Sequence, residues 1–427
     1  MTVRGCTPGP HRLADAKATP LAMMSNGTTS ALLPAGLMDV LPPRAAFEAA
    51  TVERLMAAFA LFGYERVKSP LIEFEETMLA GSAAALTTET FRLMDPVSQR
   101  MLALRPDVTM QVARIATTRL AHWPRPLRLG YAGQVLRVRG SQLRPERQLG
   151  QVGAEIVGTD ATAAGATAAD VEVILMAATS LTEVGVEGLS VDLDLPTLVP
   201  AVLAGRMIDP AATARLRVAL DRKDVAAVRA EAVAIGDDLA AILARLITAS
   251  GPAESALKAI MAIDLSSAAA AERQVLADVF TRLSAAAPTL QLTIDAVENR
   301  GFEYHRGIAF TLFARGAPGE LGRGGRYLTP GGEAATGVTL FMDAVMAALA
   351  MPPPTLRLLL PSDTPPAVGR RLRREGWTVI SMLDSVADLT AEAIRLGCSH
   401  LLRDGAVQAV TPVAAGDTGD AGKNASG

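Results

Sequence analysis

Apolar side chains recur at helical spacing through residues 44–62 (Phe47, Leu55, Met56, Phe59) and stop at Phe62-Gly63, which predicts a helix with a glycine-assisted end. Apolar runs at 67–72, 91–94, 100–104, 127–138 and 147–158 predict strands that together form an antiparallel sheet. The alanine-rich stretch 163–184, carrying Val171, Val173, Ile174 and Leu175, predicts a long helix. A strand from Leu189 to Leu193 then leads into a segment of alanine, leucine and charge from about 196 to 285, which reads as a packed helical insertion without chemistry of its own. The sheet resumes at 289–315 and 321–340, and a helix follows from Asp343. Pro352-Pro353-Pro354 marks a boundary, because proline removes a backbone donor and cannot continue a helix. Beyond it, strand 356–360, helix 366–375, strand 377–382, helix 386–396 and a last strand 399–409 predict a small α/β unit with right-handed crossovers. The fold class is α+β: an antiparallel sheet with flanking helices, a helical insertion and a small C-terminal α/β domain. The expected division is a disordered segment 1–30, a core 31–350, a small domain 351–412 and a disordered tail 413–427.

Composition narrows the chemistry. At 427 residues the chain can bury a large core, and a length prior allows about three domains. Hydrophobic residues make up 50%, yet charge interrupts them every few positions, so no membrane span is expected. The first thirty residues lack the apolar core of a signal peptide, and Met23 or Met24 reads as an alternative start. Cys6 and Cys398 can build neither a framework of bridges nor a metal site, which points to a reducing, cytoplasmic setting. The four histidines are scattered, with no metal-binding spacing, and Cys398-Ser399-His400 is too tight for a nucleophile and its base. No phosphate loop is present, and Tyr327 breaks the dinucleotide pattern at Gly322–Tyr327. No metal and no cofactor are therefore expected. The formal charge is −3, and from Met351 onward eight basic residues balance eight acids, which argues against an RNA-gripping face.

Candidate chemistry concentrates at Leu104-Arg105-Pro106-Asp107-Val108-Thr109, Arg137, and a strand-like run carrying Gln151 and Glu155. Acids suit an ammonium group, arginine suits a carboxylate or phosphate, and residues four apart on a strand share a face. Such a set could hold a small zwitterion. Taken singly, the fragments also read as a helix entry at LRPD and a surface network around Glu155.

The order of the fragments resembles the class II aminoacyl-tRNA synthetase core, and within it the histidyl branch, over roughly residues 31–350. Pro34–Pro42 and Phe62–Pro70 are similar to the motif 1 region, with Pro70 at the implied dimer interface. LRPDVT at 104–109 is similar to the family's LRPEGT, and Gly133-Gln134-Val135-Leu136-Arg137 looks like motif 2, placing Arg137 on an arginine that binds the α-phosphate. Arg300–Phe310 is similar to the histidine motif, and Gly322–Tyr327 to the glycine-rich strand. Carried over residue by residue, the resemblance implies Asp107 and Thr109 at an α-amino group, Arg137 at the carboxylate or phosphate side, and Gln151 and Glu155 beside the amine and imidazole. Arg300, Tyr304 and His305 would close the pocket. Asp107 is one methylene shorter than the family's glutamate, and His305 stands where the family carries tyrosine.

Two departures redirect the reading. Where a synthetase carries the motif 3 arginine that grips the γ-phosphate, this chain has Asp343, and the motif 2 FRxE signature has become Leu136-Arg137-Val138-Arg139. An acid there would repel the triphosphate that the arginine attracts. A core that keeps the amino-acid pocket but loses the clamp resembles the regulatory subunits of ATP phosphoribosyltransferase. That resemblance implies a non-catalytic partner of the short-form catalytic subunit in the first step of histidine biosynthesis. It further implies a self-dimer within a hetero-octamer, histidine as effector and no tRNA. The C-terminal unit resembles a shortened anticodon-binding domain. The alternative is a histidyl-tRNA synthetase or related amino-acid-activating enzyme.

Overall fold

The structure is a computed structural model that describes residues 33–79, 87–140, 144–159, 163–298 and 305–410. The described chain divides into two compact units, residues 1–349 and 350–427.

The first unit is built on a nine-stranded sheet. Its strands are β1 (Glu65–Arg66), β2 (Leu127–Leu136), β3 (Gln148–Val157), β4 (Leu189–Asp194), β5 (Gly251–Pro252), β6 (Gln291–Asp295), β7 (Ala309–Ala314), β8 (Gly322–Leu328) and β9 (Ala334–Phe341), in the spatial order β1-β2-β3-β9-β8-β7-β4-β6-β5. The six strands from β2 to β4 in that order pair antiparallel, while β1 joins β2 and β6 joins β4 in parallel. Alternation along the strands separates two faces. Val152, Ala154 and Ile156 of β3 and Val338 and Leu340 of β9 face a core shared with helices α1 (Arg44–Leu61) and α3 (Ala163–Val184), which contribute Leu55, Phe59, Val173, Ile174 and Leu181. Helix α3 is long and apolar enough to cross a membrane by length and composition alone, but most of it is buried. Its Asp170 and Glu172 reach Arg326 and Arg128, which places it as a core helix. Gln151, Gly153 and Glu155 lie on the opposite face.

Two expectations from the sequence need correction. The runs at 67–72, 91–94 and 100–104 do not join the main sheet as one assembly. Ile72–Phe74, Met101–Leu104 and Arg92–Met94 form a separate three-stranded sheet, and only Glu65–Arg66 of that region enters the large one. The apolar periodicity was alike in both, because either sheet buries one face. The insertion is helical as read, from Leu198 to Ala286, but Gly251–Pro252 within it adds an edge strand to the main sheet.

In the second unit a four-stranded sheet runs Thr378–Ser381, Arg357–Leu360, His400–Arg403, Ala406–Ala409. The first three are parallel and are linked through helices Pro366–Arg374 and Leu389–Arg395. The expected single strand 399–409 is a hairpin. Asp404 and Gly405 take φ of 50° and 76°, the left-handed pair that a two-residue turn demands and that an Asp-Gly sequence supplies.

Candidate functional site

Cross-strand register assembles the site on the open face of the sheet. Glu155 lies opposite Gly337, which lies opposite Gly325; one step along, Tyr131, Gly153, Thr339 and Arg323 form a second row. In each row glycine stands beside a large polar side chain, and the spacing is steric. A Cβ on Gly337 would sit 1.7 Å from Glu155 Oε2, one on Gly153 2.3 Å from Tyr131 Cζ, and one on Gly325 2.4 Å from His305 Cδ2. The glycines let Glu155, Tyr131 and His305 lie flat across the neighbouring strand.

Helix α2 (Thr109–Arg114) delivers the LRPD segment to this face. Asp107 accepts from the Thr109 N–H at 2.8 Å through Oδ1 and from Gln151 Nε2 at 2.8 Å through Oδ2, while Gln151 Oε1 accepts from the Val108 N–H at 3.1 Å. Thus Asp107 both closes the entry of the helix and orients Gln151. The hydroxyls of Thr109, Tyr131 and Thr339 form a closed triangle with edges of 3.1, 2.8 and 3.3 Å. Tyr327 donates its hydroxyl to Glu155 Oε2 at 3.0 Å, and Glu155 Oε1 is buried with no hydrogen-bond partner among the described residues.

Glu155 is 0% exposed, so it is no part of a surface network. Burial pushes its carboxyl well above the ordinary value of 4.5; the Tyr327 hydrogen bond opposes this and the charge of Asp107 adds to it. The native state therefore retains a proton that the unfolded chain loses above pH 4.5. The stability tied to that proton is complete below this pH and falls as pH rises toward the folded pKa. Glu155→Gln keeps the shape without the ionisation. Its stability relative to wild type should rise by about 1.4 kcal/mol per pH unit above that point, up to the folded pKa, in denaturant titrations across pH. A pH-independent difference would mean that Glu155 is ionised in the fold.

Of the residues singled out in the sequence, Asp107, Thr109, Gln151, Glu155 and His305 come together here. Thr109, Glu155, His305, Arg323, Tyr327 and Thr339 line a void of about 20 Å³ with glycines as its floor, room for about one water. Arg137 is not among the lining residues; it lies beyond the end of β2, 3.6 Å from Glu89. Arg300 and Tyr304 lie outside the described residues. Sequence reasoning missed Tyr131, Thr339 and the site role of Tyr327. Their signal was the alternation of glycine with polar residues in three runs that pair only in the folded sheet. Arg105, two residues before Asp107 in the chain, is structural: it donates to Gln134 O at 2.7 Å and Ser69 Oγ at 3.1 Å, lying where any side chain at Gly133 would collide.

The neighbouring region holds Asp343, where the sequence reading expected a lost phosphate clamp. Asp343 sits in the first turn of helix α4 (Met342–Ala348), where a negative charge suits the helix dipole. It pairs with Arg144 Nε at 3.6 Å. The Arg144 guanidinium lies 4.0 Å from the centre of the Phe341 ring and donates to Glu320 O at 2.5 Å, while Arg323 pairs with Glu320 at 3.5 Å. The cations of this corner are held by the chain's own acids and by an aromatic face.

The sequence model of the family described as histidyl-tRNA synthetase matches residues 36–345. An ATP phosphoribosyltransferase regulatory subunit of Rhodospirillum centenum is 55% identical over 381 residues, covering 89% of this chain and 96% of that protein. A crystal structure of an ATP phosphoribosyltransferase regulatory subunit/histidyl-tRNA synthetase from Bacillus halodurans superposes with a TM-score of 0.74 at 23% identity, over 87% of this chain and 97% of that one. A chain of an ATP phosphoribosyl transferase (HisG:HisZ) complex from Thermotoga maritima gives a TM-score of 0.54 at 18% identity, over 69% and 97% of the two chains. These last two share the fold. With most of its length aligned at more than half identity to one such protein, and with a class II histidyl-tRNA synthetase-like core, the chain belongs to the ATP phosphoribosyltransferase regulatory subunit family.

Proposed function

We propose that this chain is a non-catalytic regulatory subunit of ATP phosphoribosyltransferase. In this reading it activates a short-form catalytic subunit in the first step of histidine biosynthesis, in the cytoplasm, and mediates feedback by histidine. The observation that carries the reading is the engagement of Asp343 by Arg144 beside Phe341, where an amino-acid-activating enzyme needs a free cation for the triphosphate. The names of the relatives support it, and the activating-enzyme alternative is not favoured. The proposed assembly is a self-dimer within a hetero-octamer, with residues 31–350 as the synthetase-like core and 351–412 as the small domain.

Histidine is the proposed effector, held by Asp107, Thr109, Arg137, Gln151, Glu155, Arg300, Tyr304 and His305. Glu155 Oε1, which has no partner among the described residues, offers a hydrogen-bonding position to an imidazole. Histidine exceeds a void of about 20 Å³, so its binding is coupled to an opening of the site. A ligand that binds one of two states can shift their balance by its differential affinity, which is what regulation requires.

The test is ATP phosphoribosyl transfer by a purified short-form catalytic subunit, with and without this chain and with and without histidine. An ATP–pyrophosphate exchange assay on the chain alone accompanies it. The expected result is transfer only when the chain is present, lower transfer with histidine, and no histidine-dependent exchange. Exchange without activation would identify an activating enzyme instead. Calorimetry that detects no histidine binding to the chain or the complex would remove the effector assignment.

A further inference from the structure

Outside the pocket, a groove of about 400 Å³ runs between the segment entering α1 and the ends of β2 and β3. Its apolar lining includes Met38 and Leu41, which are 64% and 68% exposed, and the buried Leu149 and Met346. Its charges are unbalanced: Asp39, Glu48, Glu146 and Asp343 face a single Arg44. Asp343 is held by Arg144, but Asp39, Glu48 and Glu146 make no ion pair within 4 Å among the described residues. Glu48 and Glu146 are half-buried, so each gives up hydration without gaining a partner among the described residues.

Exposed apolar side chains rimming a groove mark an interaction site, and methionine suits one that must adapt to what it meets. The excess of carboxylates fixes the sign of the occupant. We propose that this groove docks a segment of the catalytic subunit that presents an arginine or lysine between aliphatic side chains. The cation meets Glu48 and Glu146, and the aliphatic neighbours cover Met38 and Leu41. Arginine fits best, because its planar fork can engage two carboxylates while its stem packs on the apolar rim. This rests on the regulatory reading and on the proposed self-dimer leaving the entry of α1 uncovered, and it adds the surface through which the partner is held. A groove charged in this way also repels polyphosphates, consistent with the acid at position 343.

The experiment titrates the full-length chain with a purified short-form catalytic subunit by calorimetry at low and high salt, comparing wild type with Glu48→Lys/Glu146→Lys and with the milder Glu48→Gln/Glu146→Gln. Sedimentation of the chain alone and a thermal melt accompany each. The expected result is wild-type binding that weakens with salt, at least tenfold weaker binding by the lysine pair, and a reduced salt dependence for the glutamine pair. The glutamine pair preserves shape, so it reads the charge even where the lysine pair fails to fold. Wild-type binding with unchanged affinity and salt dependence in the glutamine pair would overturn the groove and leave the regulatory reading standing. Failure of the wild-type chain to bind would overturn that reading and the groove with it. Altered self-association with unchanged partner affinity would give the groove to a second copy of this chain and overturn the proposal.

Discussion

Replacing Arg326 by alanine will destabilise the first unit by about 3–5 kcal/mol, the range for removing one partner of a buried ion pair. Arg326 on β8 pairs with Asp170 of α3 through Nη2, and its Nε lies 3.5 Å from Asp170 Oδ1. Thr336 of β9 adds a hydroxyl hydrogen bond at 3.1 Å. Asp170 is only 1% exposed, so its carboxylate depends on Arg326 for its charge partner. Burial already raises the Asp170 carboxyl above its ordinary value, with Arg326 opposing the shift. Without the arginine the shift grows, and the native state keeps its proton to still higher pH. The sign follows: the deficit is smallest below the ordinary aspartate value of 3.8 and widens as pH rises toward the variant's folded pKa. Urea titrations at pH 5 and pH 8 check both size and direction. Asp170→Asn in the same chain should recover part of the loss, because an amide does not ionise; a deficit equal at both pH values would show that losing Arg326 does not change the protonation of Asp170 over that range. The side chain also lies against Gly307, where a Cβ would come within 3.2 Å of Arg326 Nη1. Arg326→Ala should therefore loosen the segment that carries His305 and weaken histidine binding as well.

The helices were legible because their apolar periodicity is local: the residues that make α1 and α3 amphipathic also sit next to one another in the chain. The strands were legible as strands, but their partners were not. Periodicity at 91–94 and at 147–158 has the same form, and only closure of the fold sends one to the small sheet and the other to the large one. The Asp404-Gly405 hairpin was readable from its turn chemistry and was passed over because the flanking run looked continuous. In the site, Asp107, Thr109, Gln151 and Glu155 were found because motif order places them together. Tyr131, Thr339 and Tyr327 were not, since each lies in a run whose role depends on what stands opposite it. Asp343 was singled out in the sequence as an acid where a cation was expected; its pairing with Arg144 was not legible, because 199 positions separate them, counting from 144 to 343.

The sharpest test of the site's geometry is Gly337→Ala. No left-handed backbone is required at this glycine, so the effect isolates a contact. The new methyl would start 1.7 Å from Glu155 Oε2, 2.3 Å from its Cδ and 2.6 Å from Oε1, and the carboxyl cannot simply turn aside while Tyr327 holds Oε2 at 3.0 Å. Overpacking of this kind costs about 1–3 kcal/mol, and a displaced Glu155 leaves a buried polar group unpaired for about 1–3 kcal/mol more. The expected loss is about 2–6 kcal/mol, the low end applying where the backbone yields, together with loss of the proposed histidine binding. Glu155→Ala supplies the control, because it empties the space that the new methyl needs. The double variant Gly337→Ala/Glu155→Ala should lose at least about 1 kcal/mol less than the two single losses added together, which is the size of coupling found for side chains in contact. Strict additivity would show that Glu155 does not lie over Gly337. The carboxyl proposed to face an imidazole would then have to be sought elsewhere on the sheet, and the glycine floor would lose its part in shaping the pocket.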